Sequence, residues 1–287
     1  MSIRKGLQLQ RPELPEAVGF ELAPKAFAAW DRNVTAAEGS NDDTILILEP
    51  IGEDWFGEGV TAKSVKSDLD AMNERPARVL INSPGGDFFE GLAIYNLLNA
   101  YPAEVTVEIL GIAASAASIV AMAGDDIRIA KAGMMMIHNT QWVAIGDRHV
   151  MLETHNTMKV FDETLARLYA DRTGIDAAAI AAMMDETTFM AGPDAIEQGF
   201  ADELLPADSV TRGTANTLGD RPLAYRIDAA MARHGVPRAE RRRLLRELTG
   251  GKPGAATGDA TPSAGDCGEG LASLRAASMR LRCLATT

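Results

Sequence analysis

The sequence predicts an α/β protein in which parallel strands alternate with helices. Two observations support this fold class: short strand-like runs rich in Ile and Val recur between residues 44 and 206, and segments with helical spacing separate them. Strands and helices that alternate in this way form βαβ units with a parallel sheet. The chain has 287 residues, 46% of them hydrophobic, which is enough for one large domain with a tail.

The predicted strands are short apolar runs. The first is "TILILEPIG" at 44–52, which is rich in Ile. The second is "ARVLIN" at 77–82, which ends at "SPGG". The others are predicted at 104–112, 126–130 and 133–139, and "FADELL" at 200–205 closes the globular part.

The shorter helices are predicted from periodicity and from capping residues. In segment 61–74 three apolar residues fall on one helical face, namely Val65, Leu69 and Met72. Segment 87–102 begins with Asp87, whose side chain is a suitable N-cap. The remaining short helices are predicted after the strand at 104–112, at 176–184, and at 192–199 with Pro193 in the first turn.

A long helix is predicted from Asp147 to Thr173, with Gly174 at its C-terminal end. Seven residues follow the three- and four-residue spacing of one face: Met151, His155, Met158, Phe161, Leu165, Leu168 and Tyr169. This stripe is wide enough to pack against a partner as well as against the core of its own domain.

The chain divides into three parts. Residues 1–43 have no sustained period and are predicted to form a loosely ordered N-terminal arm, whereas 44–206 form the globular domain. Residues 207–287 are a tail that is partly disordered and contains a low-complexity linker at 250–270. Two Arg-rich segments on either side of this linker are predicted to form short helices, 236–248 and 271–284.

The charge is unevenly distributed. The net charge is −12, but residues 221–287 carry 12 basic and 6 acidic side chains, so the body of the protein is strongly acidic. An acidic body argues against nucleic-acid binding. The basic tail is interpreted as a solvated helix, with an acidic partner or nucleic acid as the alternative.

Other classes of protein are excluded by what the sequence lacks. No apolar run reaches the ~20 residues that a membrane span needs, and the first 20 residues lack the apolar core of a secretory signal. Both cysteines lie in the tail, which makes a disulfide framework improbable. We therefore expect a cytoplasmic protein with no membrane contact. The sequence has neither a phosphate-binding loop nor a cluster of metal ligands, so no cofactor and no metal are expected.

Three features lie at the predicted C-terminal ends of strands, where open α/β sheets place their sites. Ser115 begins a helix, where free N–H groups and the helix dipole favour negative charge. Gly85 and Gly86 of "SPGG" allow a backbone N–H to point into the site, and with the N–H of Ala116 they form a candidate oxyanion hole. His138 ends an apolar strand and is the candidate base. Each feature alone has a structural explanation: a small helical serine, a tight turn and a core histidine.

Four separated motifs in one order resemble the proteolytic subunit of the Clp protease, ClpP. They are "INSPGGD", "GIAASAAS", "MMIHN" and "FMAGPDAIEQGFADEL", and they cover about residues 44–206. The closer resemblance is to ClpP-related head-maturation proteases of tailed phages and prophages. It implies the spiral of β-β-α units that ClpP shares with crotonases, with a long protruding helix. It also implies Ser115 rather than Ser118 as nucleophile, His138 as base, and Gly86 and Ala116 as oxyanion donors.

The third member of the catalytic triad departs from the family pattern. The resemblance places the acid two residues before Phe189, where this chain has Thr187. Two acidic residues precede it in "MMDETTFM", Asp185 and Glu186. Either a shifted acid orients His138 or Thr187 does so as a neutral acceptor, and Asp185 is the residue that we select. A neutral third member stabilises the imidazolium less, so activity falls without vanishing.

The expected function is that of a serine endopeptidase acting through an acyl-enzyme, with phage head-maturation processing as the role that the resemblance implies. Protein or peptide substrates, including capsid or scaffold proteins, follow from the resemblance. So does a homo-oligomeric ring of six or seven subunits, single or stacked, located in the bacterial cytoplasm or the assembling prohead; an ATPase partner is left open. The alternatives are a weakly active or inactive ring or scaffold protein of the same fold, and a crotonase-type acyl-CoA enzyme. The latter explains neither Ser115 nor His138.

Overall fold

In the computed structural model, the alternating segments form a mainly parallel sheet with helices packed against it, as the sequence predicts. The structure describes residues 19–20, 23–37, 42–52 and 59–212 and the single positions 227, 231, 241, 244 and 245. All of them lie within one compact unit, residues 1–249. The predicted linker and the predicted helix 271–284 lie outside the described residues, and so does most of segment 236–248.

The strands are β1 (Gly19–Phe20), β2 (Val34–Ala36), β3 (Thr44–Ile47), β4 (Ala77–Ser83), β5 (Val105–Ala114), β6 (Asp126–Ile129), β7 (Met134–Ile137), β8 (Trp142–Val143), β9 (Thr188–Ala191), β10 (Glu203–Leu204) and β11 (Val210–Arg212). The helices are α1 (Pro24–Ala29), α2 (Ala62–Met72), α3 (Phe88–Asn99), α4 (Ala116–Ala121), α5 (Arg148–Thr173), α6 (Ala177–Asp185) and α7 (Gly192–Glu197).

The sheet has five parallel strands in the order β10-β6-β5-β4-β3. Strand β5 is long enough to serve two neighbours: its first half pairs with β6, and its last residues, 112–114, pair with β7. Strand β9 runs antiparallel to β7, which the prediction of parallel units did not include. An antiparallel strand starts where its partner ends. The chain therefore leaves β7 for α5 and α6 and returns to β9 at the same edge of the sheet. That edge carries residue 138.

The two faces of the sheet are buried against different layers, because successive strand side chains point to opposite sides. Val79 and Ile81 of β4 face the main core, which also contains buried side chains of helices α2 to α6. Leu80, between them, faces a second cluster with Leu110 and Leu205, against which residues of β2 and β11 pack.

Part of the predicted N-terminal arm is folded onto this second face. Trp30 is buried, and its indole N–H donates to the carbonyl of Asn82 at 2.8 Å. Helix α1 and Trp30 pack with Ala114 and Met136 in a separate apolar cluster. The expectation of a loosely ordered arm therefore does not hold for residues 23–36. Periodicity could not reveal this segment, because α1 has only 6 residues and β2 only 3.

Part of the predicted tail also packs on the body. Strand β11, beyond the predicted boundary at 206, pairs antiparallel with β2. Leu245 is buried and contacts Phe27 and two further apolar side chains. The folded domain thus includes residues on both sides of segment 44–206.

Helix α5 begins one residue later than predicted, with Asp147 as its N-cap, and ends as predicted at Thr173. Asp147 accepts hydrogen bonds from the N–H groups of His149 and Val150, and Gly174 ends the helix with a φ of 76°. The predicted apolar stripe divides into two parts: Phe161 to Tyr169 are buried in the core, whereas Met151 is exposed. Among the described helices, none is both long and apolar enough to cross a bilayer.

Candidate active site

Ser115 lies in the single-residue turn between β5 and α4. Its backbone has φ 54° and ψ −123°, a conformation that non-glycine residues rarely adopt and that costs ~1–3 kcal/mol. The Ser115 N–H donates to the carbonyl of Met136 in β7 at 3.0 Å, which fixes the turn to the neighbouring strand. A serine held in a strained turn from strand to helix projects its hydroxyl out of the sheet edge.

His138 comes next to Ser115 because β7 runs alongside the end of β5. Ala114 is paired with Met136 in this parallel register, and each strand places its next side chains at the same edge. The Nε2 atom of His138 lies 2.7 Å from the Oγ of Ser115. For Nε2 to accept the Ser115 proton, the ring hydrogen must be on Nδ1.

Burial sets the protonation state of His138. The residue is only 7% exposed, and this desolvation lowers the pKa of its imidazole to about 4. The ring is therefore neutral at neutral pH and can act as a base. The same burial makes an imidazolium costly to form unless something stabilises it.

The glycine pair of "SPGG" is packed against Ser115 and against the segment before α2. A Cβ on Gly85 would lie 2.7 Å from the Cβ of Ser115, and one on Gly86 would lie 2.1 Å from the carbonyl oxygen of Ile51. Pairing with Ile51 uses the Gly85 carbonyl and the Asp87 N–H, so the Gly86 N–H remains outside it.

Ala116 is the first residue of α4, and its N–H has no acceptor within the helix. Both predicted oxyanion donors line the same small cleft as Ser115 and His138.

Ser118, three residues after Ser115, is a structural residue. It is fully buried; its Oγ donates to the carbonyl of Ser115 at 2.6 Å and lies 2.8 Å from the hydroxyl of Tyr169. The hydroxyl of Ser118 thus braces the turn that carries Ser115 against helix α5.

The structure does not bring Asp185 to His138. Asp185 is the last residue of α6, and its Oδ1 accepts a hydrogen bond of 2.6 Å from the Nδ2 of Asn139. The Nδ1 of His138 is buried and has no hydrogen-bond partner among the described residues. The selection of Asp185 as the group on His138 is thus not reproduced by the geometry, because Asp185 at the end of α6 contacts Asn139, the residue after His138.

Thr187 is the residue opposite His138. Strands β7 and β9 pair antiparallel as far as Ile137 and Thr188, so His138 and Thr187 are the next residues on the two strand ends. Thr187 has a φ of 57°, which is unfavourable for a β-branched side chain. The position that the resemblance assigns to the acid thus directly precedes the strand that pairs with β7, and it holds a neutral side chain.

Sequence reasoning missed two residues beside the site. Thr140 is 8% exposed and lines the cleft, and its N–H and Oγ1 each donate to the Oδ1 of Asp162 at 2.8 Å. Burial is the main cause that raises the pKa of Asp162, and the charge of Asp185 raises it further. No local signal marked Asp162, because one acidic residue on the polar side of a helix is ordinary. The other lining residues are Phe88, Ile119, Gln141, Leu165 and Tyr169.

Comparisons with known proteins identify the family of this chain. Residues 41–208 match the family described as Clp protease. The chain is 33% identical over 129 residues to the ATP-dependent Clp protease proteolytic subunit of Chlorella vulgaris, a match that covers 44% of this chain and 64% of that protein. It is 29% identical over 176 residues to the subunit of the same name from Bdellovibrio bacteriovorus, covering 60% and 82%. A third such subunit, from Streptococcus pneumoniae, is 26% identical over 186 residues, covering 58% and 87%.

The matched region contains the whole cleft, from the glycine pair at 85–86 to the residues opposite His138. It also contains the parallel sheet and the long helix α5. Since the family match spans more than half of the chain, this protein belongs to the Clp protease family.

Proposed function

We propose that this protein is a serine endopeptidase that cleaves protein substrates through an acyl-enzyme. The observation that carries this proposal is the 2.7 Å approach of His138 Nε2 to the Oγ of Ser115, with Ser115 held in a strained turn. A nucleophile within hydrogen-bond reach of a neutral base is the signature of covalent catalysis.

In the proposed mechanism, the Ser115 Oγ attacks the scissile carbonyl while His138 Nε2 takes the hydroxyl proton. The N–H groups of Gly86 and Ala116 hold the developing oxyanion. The imidazolium then gives its proton to the leaving amine, and the acyl group stays on Ser115. Water, deprotonated by His138, releases the acyl group and restores the serine.

The missing partner of His138 Nδ1 limits this mechanism. An imidazolium forms in each half of the reaction, and burial alone disfavours it. A carboxylate on Nδ1 would stabilise that charge, but Thr187 occupies the opposite position. We therefore expect a slow peptidase rather than an inactive one, since the nucleophile, base and oxyanion donors remain.

A fluorophosphonate probe tests this function directly, because it reacts only with an activated serine. We expect covalent labelling of Ser115, and loss of labelling in Ser115→Ala. The matched control is Ser67→Ala, which removes an exposed serine hydroxyl on α2 far from the cleft in sequence. Labelling at another serine, or none at all in a correctly folded protein, would rule out the proposed peptidase.

A second candidate function is that of a ring or scaffold protein with little or no activity. The observation that favours it is the unpartnered Nδ1 of His138 in the described part of the chain. The probe separates the two candidates: a scaffold leaves Ser115 unlabelled while its assembly stays intact. A crotonase-type enzyme would also leave Ser115 unlabelled, and would instead bind an acyl-CoA.

We also propose that the protein assembles into a ring of six or seven subunits, single or stacked. The first half of α5 supports this, because it exposes apolar side chains: Leu152 is 59% and Val160 is 55% exposed. Exposed apolar patches mark surfaces that contact other proteins. Light scattering coupled to gel filtration should give a mass of at least six times 30.6 kDa.

Glutamate substitutions locate the proposed interface. Leu152→Glu and Val160→Glu should dissociate the assembly and leave the circular dichroism spectrum unchanged, since both side chains are exposed. Phe161→Glu is unsuitable, because Phe161 is buried among Phe88, Phe89 and Trp142. A 31 kDa species with full peptidase activity would overturn the assembly as a requirement.

The substrate class that we propose is phage capsid or scaffold protein, processed during head maturation. The resemblance of the four sequence motifs to head-maturation proteases supports it. Co-expression with capsid and scaffold proteins of a tailed phage should yield a shortened product with the unchanged protein and none with Ser115→Ala. The same assay run with and without ATP and a co-expressed ATPase tests whether the ATP dependence in the names of the relatives extends to this protein.

A further inference from the structure

The segment after His138 is held by two carboxylates, although the imidazole itself is held by neither. Asn139 donates to Asp185 at 2.6 Å. Thr140 donates twice to Asp162, from its N–H and from its Oγ1, at 2.8 Å each. Three hydrogen bonds to charged acceptors therefore fix the two residues that directly follow the candidate base.

These carboxylates come from helices that enter the site from outside the sheet. Asp162 lies in the buried half of α5 and Asp185 ends α6, and both line one groove between the two helices. Placing two like charges at one groove is unfavourable, and so is the partial burial of Asp162. Hydrogen bonds to charged acceptors are among the strongest in proteins, and here they offset these costs.

Thr140 transmits this anchoring to the cleft. It is nearly buried, its side chain is β-branched and stiff at χ1, and it lines the cleft with Ser115 and His138. Two bonds to one carboxylate oxygen fix both its backbone and its side-chain rotamer. Only one residue separates it from His138, so its backbone limits where the imidazole can lie.

We propose that Asp162 is a positioning residue: through Thr140, and together with Asp185 through Asn139, it holds the His138 imidazole against Ser115 in place of a carboxylate on Nδ1. The proposal rests on the peptidase function stated above. The carboxylates act on the backbone, one and two residues away from the base. Their effect is thus mainly geometric, and a displacement of about 1 Å at reacting atoms can cost ~10²-fold in rate.

A carboxylate that only positions the histidine and a triad carboxylate differ in their response to replacement by a neutral acceptor. In a Ser-His-Asp triad, replacing the acid with its amide lowers kcat by about 10⁴-fold. Here Asp162→Asn keeps an oxygen that can accept from Thr140, whereas Asp162→Ala removes every acceptor. We expect Asp162→Ala to lower kcat ~10- to 100-fold with KM changed less than about 2-fold, and Asp162→Asn to stay within about 3-fold of the unchanged protein.

Two further variants test the link through Thr140. Thr140→Val removes the hydroxyl donor and keeps the N–H, so it should lose part of the activity, and Thr140→Ser should restore it. Glu163→Gln is the matched control, because Glu163 is the next residue on α5 and lines the same groove. A purely structural role of Asp162 would lower thermal stability in Asp162→Ala without changing kcat per folded molecule.

The closing experiment combines the rate of Ser115 labelling with the histidine NMR spectrum of the full chain, which has four histidines. We expect Asp162→Ala to slow labelling as much as it lowers kcat, and to broaden or double the His138 ring signal. Unchanged labelling and an unchanged ring signal in folded Asp162→Ala would overturn the proposal, and so would equal losses in Asp162→Asn and Asp162→Ala. If the unchanged protein is not labelled at all, the peptidase function fails, and the ring signal alone then decides the positioning role.

Discussion

The two nitrogen atoms of the His138 imidazole differ in the contacts that surround them. On the Nε2 side, the strained Ser115 lies within hydrogen-bond distance of the ring, the buried Ser118 hydroxyl bonds its carbonyl, and the glycine pair packs against it. On the Nδ1 side, the ring has no partner among the described residues, and the nearby carboxylates bind Asn139 and Thr140. The difference indicates that the nucleophile and the base are set by local chain geometry, whereas support of the base depends on helices that are distant in sequence.

The largest effect is expected at the nucleophile. Ser115→Ala should lower peptide cleavage at least about 10³-fold, because no other group on the Nε2 side can attack the carbonyl. Ser118→Ala should keep the chemistry but reduce stability by ~1–3 kcal/mol, since it leaves the Tyr169 hydroxyl without its partner. Cleavage assays and thermal unfolding of both variants separate the two roles. Full activity in Ser115→Ala would remove the basis of the proposed mechanism.

A glycine substitution tests the oxyanion side. Gly86→Ala should lower kcat ~10²- to 10³-fold, because the added Cβ meets the backbone of Ile51 and displaces the N–H that faces the oxyanion. Gly174→Ala is the control, since it also has a positive φ but no atom within 4 Å of the added Cβ. Both should be destabilised by backbone strain, but only Gly86→Ala should lose activity. Similar kinetics for the two variants would show that Gly86 is not a donor.

An acid introduced on the Nδ1 side should reduce the difference between the two sides. Thr187→Asp places a carboxylate opposite His138, and we expect kcat to rise about 10-fold as the imidazolium gains a partner. Thr187→Asn is the matched control: it relieves the same β-branched residue at positive φ but adds no charge. Equal kcat values for the Asp and Asn variants, measured with one peptide, would mean that residue 187 does not reach the ring.

The smallest effect on kcat/KM is expected from a change of pH between about 5.5 and 8. Because burial lowers the pKa of His138 to about 4, the base stays neutral across that range, and kcat/KM should be nearly flat. Below about pH 4 it should fall as His138 is protonated. An acid limb near pH 6.5 would instead indicate a solvated imidazole. Burial also raises the pKa of Asp162, so the limb must persist in Asp162→Asn to be assigned to His138.

The lowered pKa of His138 also makes the stability of the folded protein depend on pH. The folded-state pKa of His138 lies below its unfolded value of about 6.5, so the unfolded chain binds more protons between pH 6.5 and pH 4. The contribution of neutral His138 to stability is therefore complete above about pH 6.5 and is lost as the pH falls to about 4. Comparison of unfolding free energies with His138→Gln over this range should show a smaller pH dependence in the variant.

The amino-acid sequence alone determined the alternation of strands and helices, the caps of α3 and α5, and the order of the site motifs. These features are local: periodicity, capping side chains and glycines act within a few residues. The proximity of Ser115 and His138 also followed from the sequence, since both come at the ends of parallel strands, which meet at one sheet edge. The packed segment 23–36 could not be predicted in this way, because it is too short for a period and is stabilised by contacts with the second face of the sheet.

Only the tertiary structure decided the surroundings of His138 Nδ1. The choice between Asp185, Glu186 and Thr187 depends on where α6 ends and on the antiparallel register of β9, which a one-residue shift would change. Asp162 enters the site from α5, 22 residues after Thr140 in the chain, and its role follows from helix packing rather than from any motif. Local chemistry thus fixed the reacting atoms in the sequence, whereas packing between distant segments decided how the base is supported.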